Sequence, residues 1–68
     1  MSTTLGMRIK ELRKEKKITL ENLANKSNIS LRRLWDIELD KSDPKTSTLI
    51  SIAAALETKV TYLLGEAE

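Results

Sequence analysis

Apolar residues recur at three- and four-residue spacing along most of the chain, which is the spacing of one face of an α-helix. Two such stripes occupy the first third of the chain: Leu5, Ile9 and Leu12, then Leu20, Leu23 and Ala24. The strict alternation of apolar and polar residues that is typical of a half-buried strand is absent from the sequence. The pattern therefore predicts an all-α fold.

Three further stripes follow at the same spacing. They are Leu31, Leu34 and Ile37 with Glu38, then Leu49, Ile52, Ala53 and Leu56, then Val60, Leu63 and Leu64. Polar stretches at 26–30 and 40–44 separate them, and Pro44 disfavours helical backbone at Asp43. We expect the last helix to stop at Gly65. The sequence predicts a compact bundle of five short helices.

Hydroxyl side chains mark where several of these helices begin. Thr19 and Ser30 each stand immediately before an apolar stripe, where a hydroxyl can accept a hydrogen bond from a free backbone amide. Thr46 and Ser47 are equally good candidates for the cap of the fourth helix. The break between the second and third helices is only about four residues, so the two helices must cross at a large angle as a helix-turn-helix. In that unit the second helix can enter the DNA major groove.

Composition narrows the function classes. We expect the 68 residues to form a single domain, 1–68, with an ordered core of about 5–64. Without histidine, cysteine or a clustered acidic pair, the chain offers no evident nucleophile, general base, metal site or cofactor site, so we expect no enzyme, and no small-molecule ligand is inferred. No signal peptide or membrane-length apolar run is present, which favours a cytoplasmic protein. A net charge of +2 hints only weakly at nucleic acid.

A set of segments in a fixed order gives the chain a family resemblance. They are RIKELR (8–13), ITLENLA (18–24), ISLRRLWDIE (29–38), Pro44, TLISIAAAL (48–56) and VTYLL (60–64). With these segments the chain resembles the phage-repressor helix-turn-helix family of the Cro and lambda-repressor type, also called XRE. The resemblance implies a lambda-repressor-like domain that binds double-stranded DNA sequence-specifically as a transcriptional regulator, repressor-like. It also implies a dimer on an inverted repeat.

The third predicted helix divides into two faces. Helical spacing places Leu34, Ile37 and Glu38 toward the core, and a second group looks outward. The resemblance implies base contacts at this second group: Leu31, Arg32, Trp35 and Asp36.

Arg32 and Arg33 lie in the first turn of that helix, where the helix dipole disfavours cations by roughly a few tenths of a kcal/mol. A DNA duplex reverses this preference, because its phosphates and guanine bases attract arginine. We assign Arg32 to a guanine and Arg33 to a phosphate, and Leu31 can contact a thymine methyl group. The alternative for the arginines is two solvated surface side chains.

The resemblance adds further DNA-contacting positions, which are Thr19, Leu20, Ser30, Lys41 and Lys45. Leu20 stands where the family commonly has a glutamine, and Thr19 is a helix cap first and a phosphate donor second. The two lysines flank a loop that in the family runs beside phosphates.

The chain departs from the family in its charges and glycines. Asp36 and Asp40 add negative charge where phosphate would approach. Asp40, Lys17 and Glu57 also stand where the family often has glycine at the end of a helix.

Two features are better explained by structure and assembly than by DNA contact. The resemblance implies a partly buried ion pair between Arg13 and Glu38, whose loss would act through folding. It also implies a dimer contact at the C-terminal segment, for which Tyr62, Val60 and Leu63 are the candidates. We expect Tyr62 to face outward and Leu63 and Leu64 to lie partly in the core. The alternative is that this segment simply closes the bundle.

A protein-interaction module on the same fold is the competing hypothesis. Leu31, Trp35 and Leu39 are spaced four residues apart, so they form one apolar line along the third helix, with Leu20 nearby. Exposed apolar patches often mark protein-binding surfaces. A possible protein partner therefore stays open beside DNA.

Overall fold

Five α-helices and short connecting loops make up residues 3–65, the part of the chain that the computed structural model describes. The helices are α1 (Leu5–Glu15), α2 (Leu20–Ser27), α3 (Leu31–Glu38), α4 (Thr46–Ala55) and α5 (Val60–Leu63). Within these residues there is no strand, so the predicted all-α class is confirmed. The second helix continues two residues into the stretch predicted as a break, which leaves only Asn28, Ile29 and Ser30 between α2 and α3.

One core lies between the helices, and every predicted stripe contributes to it. Its buried apolar side chains are Ile9, Leu23, Ala24, Leu34, Ile37, Leu49, Ile52, Ala53, Leu56 and Leu63. The second helix packs on α3 and α4, and α1 packs on α3 and α5. The third helix is therefore held from both sides, by α1 and by α2.

Threonine and serine hydroxyls cap the first three helices. The Thr19 hydroxyl accepts from the Asn22 amide and the Ser30 hydroxyl from the Arg33 amide, each at 3.0 Å. Both predicted caps are thus present. The predicted cap of α4 is wrong, because neither Thr46 nor Ser47 occupies that position. Lys45 does, with the extended backbone of a cap but no acceptor in its side chain for the free amides.

Each of four helices is followed by a residue whose backbone has the left-handed conformation, and none of these four residues is a glycine. Lys17, Asn28, Asp40 and Glu57 have φ between 55° and 62°. In each case the next residue's amide returns to the carbonyl five residues earlier, as from Lys41 to Asp36 at 2.9 Å. Lys17, Asp40 and Glu57 are the positions where the family often has glycine, so this chain keeps the backbone geometry with side chains that tolerate it less easily.

Asp40 also joins the end of α3 to the beginning of α1. Its carboxylate accepts hydrogen bonds from the Thr4 hydroxyl and, at 3.0 Å, from the Gly6 amide. A methyl group at Gly6 would lie 2.6 Å from the Glu38 carbonyl oxygen, so only glycine allows α1 to approach α3 this closely. Asp40 is exposed, and its carboxylate is turned toward the beginning of α1.

Neither a membrane-spanning helix nor a cluster of metal ligands occurs within residues 3–65. No helix there is long and apolar enough to cross a bilayer. No three acidic, histidine or cysteine side chains in that range are grouped so as to hold a metal ion.

Candidate nucleic-acid interface

The two faces of α3 differ in exposure as the sequence predicted. On the inner face Leu34 and Ile37 are buried, and Glu38 is only 7% exposed. On the outer face Leu31 is 45% exposed and Trp35 is 54% exposed. The helix is therefore anchored along one side and open along the other.

A bidentate ion pair anchors the inner face. The Arg13 Nε lies 2.7 Å from Glu38 Oε2, and the Arg13 Nη2 donates to Glu38 Oε1 at 3.1 Å. The Arg13 Nη1 also donates to the Ile18 carbonyl at 3.0 Å. The implied pair is thus present, with both side chains nearly enclosed, and it ties α3 to the end of α1 and to the loop before α2. Two parallel hydrogen bonds fix direction as well as distance.

The two arginines at the start of α3 point to different surroundings. The Arg32 side chain is 86% exposed, and its Nε lies 3.6 Å from the Asp36 carboxylate one turn later. Arg33 is half-buried and borders a shallow depression of about 340 Å³ that it shares with Ile29, Ser30, Lys45 and Thr48. Arg32 is therefore free to enter a groove, whereas Arg33 lies beside the beginning of α4.

Leu31, Trp35 and Leu39 form a continuous exposed line along α3, which we call the apolar ridge. A cleft of about 330 Å³ opens on one side of Trp35, and its lining residues are Leu31, Arg32, Trp35, Asp36 and Lys41. A second cleft, of about 160 Å³, opens on the other side between α1 and α3. Its lining residues are Lys10, Arg13, Leu20, Trp35, Glu38 and Leu39. Basic side chains thus border the apolar ridge on both sides.

The structure brings most of the predicted DNA-contacting residues into two groups. The first surrounds the larger cleft and contains Leu31, Arg32, Trp35, Asp36 and Lys41. The second surrounds the depression at the start of α4 and contains Ser30, Arg33 and Lys45. Leu20 is half-buried against the core and reaches the smaller cleft. Thr19 is exposed but borders none of these hollows, and its hydroxyl serves as the α2 cap.

Two residues at this surface were not predicted. Lys10 borders the smaller cleft with Trp35, and Thr48 borders the depression with Arg33 and Lys45. The signal for Lys10 was available, because it lies three residues before Arg13 and so shares that face of α1. No sequence signal distinguishes Thr48 from the other hydroxyls of α4.

The C-terminal segment departs from its prediction in two places. Tyr62 is exposed as expected, and Val60 is half-buried against the core. Leu63 was predicted as a dimer contact, but this is wrong, because its side chain is 0% exposed and cannot reach a partner. Leu64 was predicted to lie partly in the core and is instead 46% exposed, beside Tyr62 in the chain.

A family model described as a helix-turn-helix domain matches residues 6–67. The chain is 48% identical over 63 residues to the immunity repressor protein of Bacillus phage phi105, and the match covers 93% of this chain and 44% of the phage protein. The chain spans about half the length of the curated relatives it matches.

Solved structures that share the fold include two complexes with DNA. The P22 c2 repressor in complex with a synthetic operator superimposes with a TM-score of 0.90 at 26% identity, covering 97% of this chain and 100% of that one. SinR, a regulator of biofilm formation solved in complex with DNA, superimposes with a TM-score of 0.84 at 34% identity, covering 88% and 97%. The chain belongs to the helix-turn-helix domain family, as its resemblance to the phage repressors predicted.

Proposed function

We propose that this chain binds double-stranded DNA sequence-specifically and regulates transcription by occupying its site, with α3 in the major groove. The observation that carries the proposal is the division of α3, whose inner face is fixed in the core while Leu31, Arg32 and Trp35 extend outward. The regulator itself performs no reaction in this account. The relatives support it, because the P22 c2 repressor and SinR were each solved with DNA.

Arg32 is the residue we assign to base recognition. Its planar guanidinium can donate two parallel hydrogen bonds to O6 and N7 of guanine. Within residues 3–65 the contact that competes is the pair with Asp36 at 3.6 Å, and i,i+4 pairs of this kind contribute only about 0.3–0.5 kcal/mol. The side chain can therefore turn from Asp36 to a base at little cost.

A second set of residues is assigned to the phosphate backbone. Arg33 and Lys45 meet at the depression beside Ser30, and Lys41 borders the larger cleft next to Arg32. Arg33 lies in the first turn of α3 and Lys41 lies beyond its last residue, so positive side chains are present near both ends of the outward face. Contacts of this kind hold the protein in register without selecting a sequence.

Two copies are proposed to bind together. Tyr62 and Val60 remain the candidates for the contact, joined by the exposed Leu64 in place of Leu63. A two-fold pair would place its third helices about 34 Å apart, matching half-sites about 10 base pairs apart on one side of the duplex. The expected target is therefore an inverted repeat.

The alternative of a protein-interaction module depends on the same apolar ridge. The basic residues bordering that ridge, Arg32, Lys41 and Lys10, match the phosphates that flank a groove. The DNA complexes of the two relatives also favour DNA over protein. Binding of a protein partner is therefore one of the outcomes that the experiments distinguish.

The test is a titration of a random duplex pool followed by fluorescence of Trp35, the chain's one tryptophan, at two salt concentrations. We expect binding that weakens steeply with salt and a single sequence enriched after selection. Lys45 and Lys59 are exposed residues at the N-cap positions of α4 and α5, and neither side chain makes a capping hydrogen bond, so they form a matched pair. Lys45→Ala should lower the salt slope by about one, and Lys59→Ala should leave it unchanged. Binding without an enriched sequence contradicts the proposal.

A further inference from the structure

The loop between α3 and α4 carries Lys41 and Lys45, both assigned above to phosphate, but its backbone is held only at its ends. No backbone hydrogen bond joins residues 42–44 to another part of the described chain, residues 3–65. At the near end the Lys41 amide donates to the Asp36 carbonyl at 2.9 Å, and at the far end the Lys45 carbonyl accepts from the Leu49 amide at 2.8 Å. The placement of the loop therefore depends on what fixes these two ends.

Asp40, immediately before this loop, makes a tertiary contact to the beginning of α1. Its carboxylate accepts from the Gly6 amide at 3.0 Å and from the Thr4 hydroxyl. The Thr4 hydroxyl in turn accepts from the Met7 amide at 3.2 Å, as the N-cap of α1. Asp40 therefore joins the near end of the loop to a capped helix end about 34 residues earlier in the chain.

The backbone at Asp40 decides where Lys41 lies. The φ of Asp40 is 62°, a left-handed conformation that residues with a side chain disfavour. This turn brings Lys41 back beside the last turn of α3, where its side chain borders the larger cleft together with Arg32 and Trp35. Because the Asp40 side chain is held by α1, the direction in which Lys41 leaves α3 is fixed before any ligand binds.

We propose, on the basis of the proposed function, that Asp40 is a positioning residue for DNA binding and acts through Lys41. Holding the loop in its bound position in advance removes part of the ordering cost that a flexible loop pays on binding. The Lys41 ammonium makes the contact with a phosphate, and Asp40 itself touches no DNA. Because a phosphate contact selects no sequence, Asp40 affects affinity and its dependence on salt, and leaves the preferred site unchanged.

A carboxylate near a duplex also repels phosphates, and this effect opposes the positioning role. If charge alone decided the affinity, every neutral replacement of Asp40 would bind the selected duplex more tightly. Asp40→Asn keeps an acceptor for the Gly6 amide, so we expect it to bind at least as tightly as the original chain. Asp40→Gly loses the contact with α1 and should bind about fivefold more weakly, as for one lost hydrogen bond. Glycine tolerates the left-handed backbone, so this variant should stay folded.

Glu57→Gly is the matched control. Glu57 has the same left-handed backbone, with a φ of 55°, and the next amide, of Thr58, donates to the Ala53 carbonyl at 2.9 Å. Its carboxylate makes no hydrogen bond to the residues that the structure describes, and it borders neither cleft. This variant also removes an acid and relaxes the same kind of turn, and we expect its affinity for the selected duplex to be unchanged.

A double variant shows whether Asp40 acts through Lys41. Lys41→Ala should lower the slope of log affinity against log salt by about one. Asp40→Gly should lower this slope too, and Asp40→Gly combined with Lys41→Ala should bind no more weakly than Lys41→Ala alone. Additive losses of affinity would reject the proposal, because Asp40 would then act independently of Lys41.

The remaining results separate this proposal from the proposed function. If the random pool yields an enriched site and Asp40→Gly binds it as tightly as the original chain or more tightly, the positioning role is rejected and sequence-specific binding stands. If no site is enriched, both are rejected. The unfolding transition of Asp40→Gly is measured at the salt concentrations of the titration, and a loss of folded protein that accounts for the weaker binding also rejects the positioning role.

Discussion

The inner and outer faces of α3 belong to one eight-residue helix but are fixed by different partners. The inner face is determined inside the molecule, because Leu34 and Ile37 fill the core and Glu38 pairs with Arg13. The outer face has no comparable partner among the residues that the structure describes, and its large side chains face water. Nothing in the packing of the bundle requires a tryptophan at position 35. The comparison indicates that one face specifies the fold and the other specifies what the fold binds.

The largest effect should come from breaking the inner ion pair. In Glu38→Ala the Arg13 guanidinium, only 12% exposed, keeps its charge without a partner. We expect a loss of about 3–5 kcal/mol in the free energy of unfolding, measured by denaturant titration. The double variant Arg13→Met with Glu38→Leu removes both charges and should recover most of that loss. A loss below about 1 kcal/mol in the single variant would show that the pair carries no structural weight.

A smaller loss is expected where α1 meets the end of α3. Gly6→Ala places a methyl group 2.6 Å from the Glu38 carbonyl oxygen, so the two helices must separate. We expect a decrease of about 1–3 kcal/mol in unfolding free energy, as for other overpacked sites. Met7→Ala is the control, because Met7 is exposed on the same helix and its loss should change stability by less than about 0.5 kcal/mol. Equal stability of the two variants would contradict this contact.

Asp40 should contribute less than Gly6. Asp40→Ala removes the acceptor for the Gly6 amide and the Thr4 hydroxyl, which we expect to cost about 1 kcal/mol of unfolding free energy. Asp40→Asn keeps an acceptor oxygen and tolerates the left-handed backbone, so thermal unfolding should show a smaller loss. The assignment fails if the asparagine variant is no more stable than the alanine variant.

The smallest effect on stability is expected from the outer face. Trp35→Ala removes a side chain that is 54% exposed, and alanine is the better helix former. We expect unfolding free energy to change by less than about 1 kcal/mol, even though DNA affinity falls. A loss as large as that of Glu38→Ala would show that the two faces are not separate.

The sequence predicts the fold correctly where the spacing of residues within one helix determines which side chains are buried. Helical periodicity placed Leu34 inside and Trp35 outside, and hydroxyls marked the beginnings of α2 and α3 through Thr19 and Ser30. Local rules failed at α4, where Lys45 takes the cap position although it has no acceptor. They also failed at α5, because a helix of four residues is too short for its apolar spacing to decide whether Leu63 or Leu64 faces the core.

The sequence predicts only part of the candidate DNA interface, for a different reason. The outward positions of α3 follow from its period, but the surroundings of the ridge are set by helices far apart in the chain. Asp40 turns toward Gly6, which is 34 residues earlier, and Lys10 reaches the cleft beside Trp35. Contacts across such distances depend on how the bundle closes, which residue spacing within one helix does not encode.

Arg32→Ala, measured for both stability and DNA binding, tests the division of α3 most directly. We predict an unfolding free energy within about 0.5 kcal/mol of the original chain, because the Arg32 side chain is 86% exposed. Affinity for the selected duplex should fall by about 1–3 kcal/mol, and the preference should relax at one base pair only. A uniform loss across all DNA sequences, or a loss of stability that accounts for the weaker binding, would contradict the account.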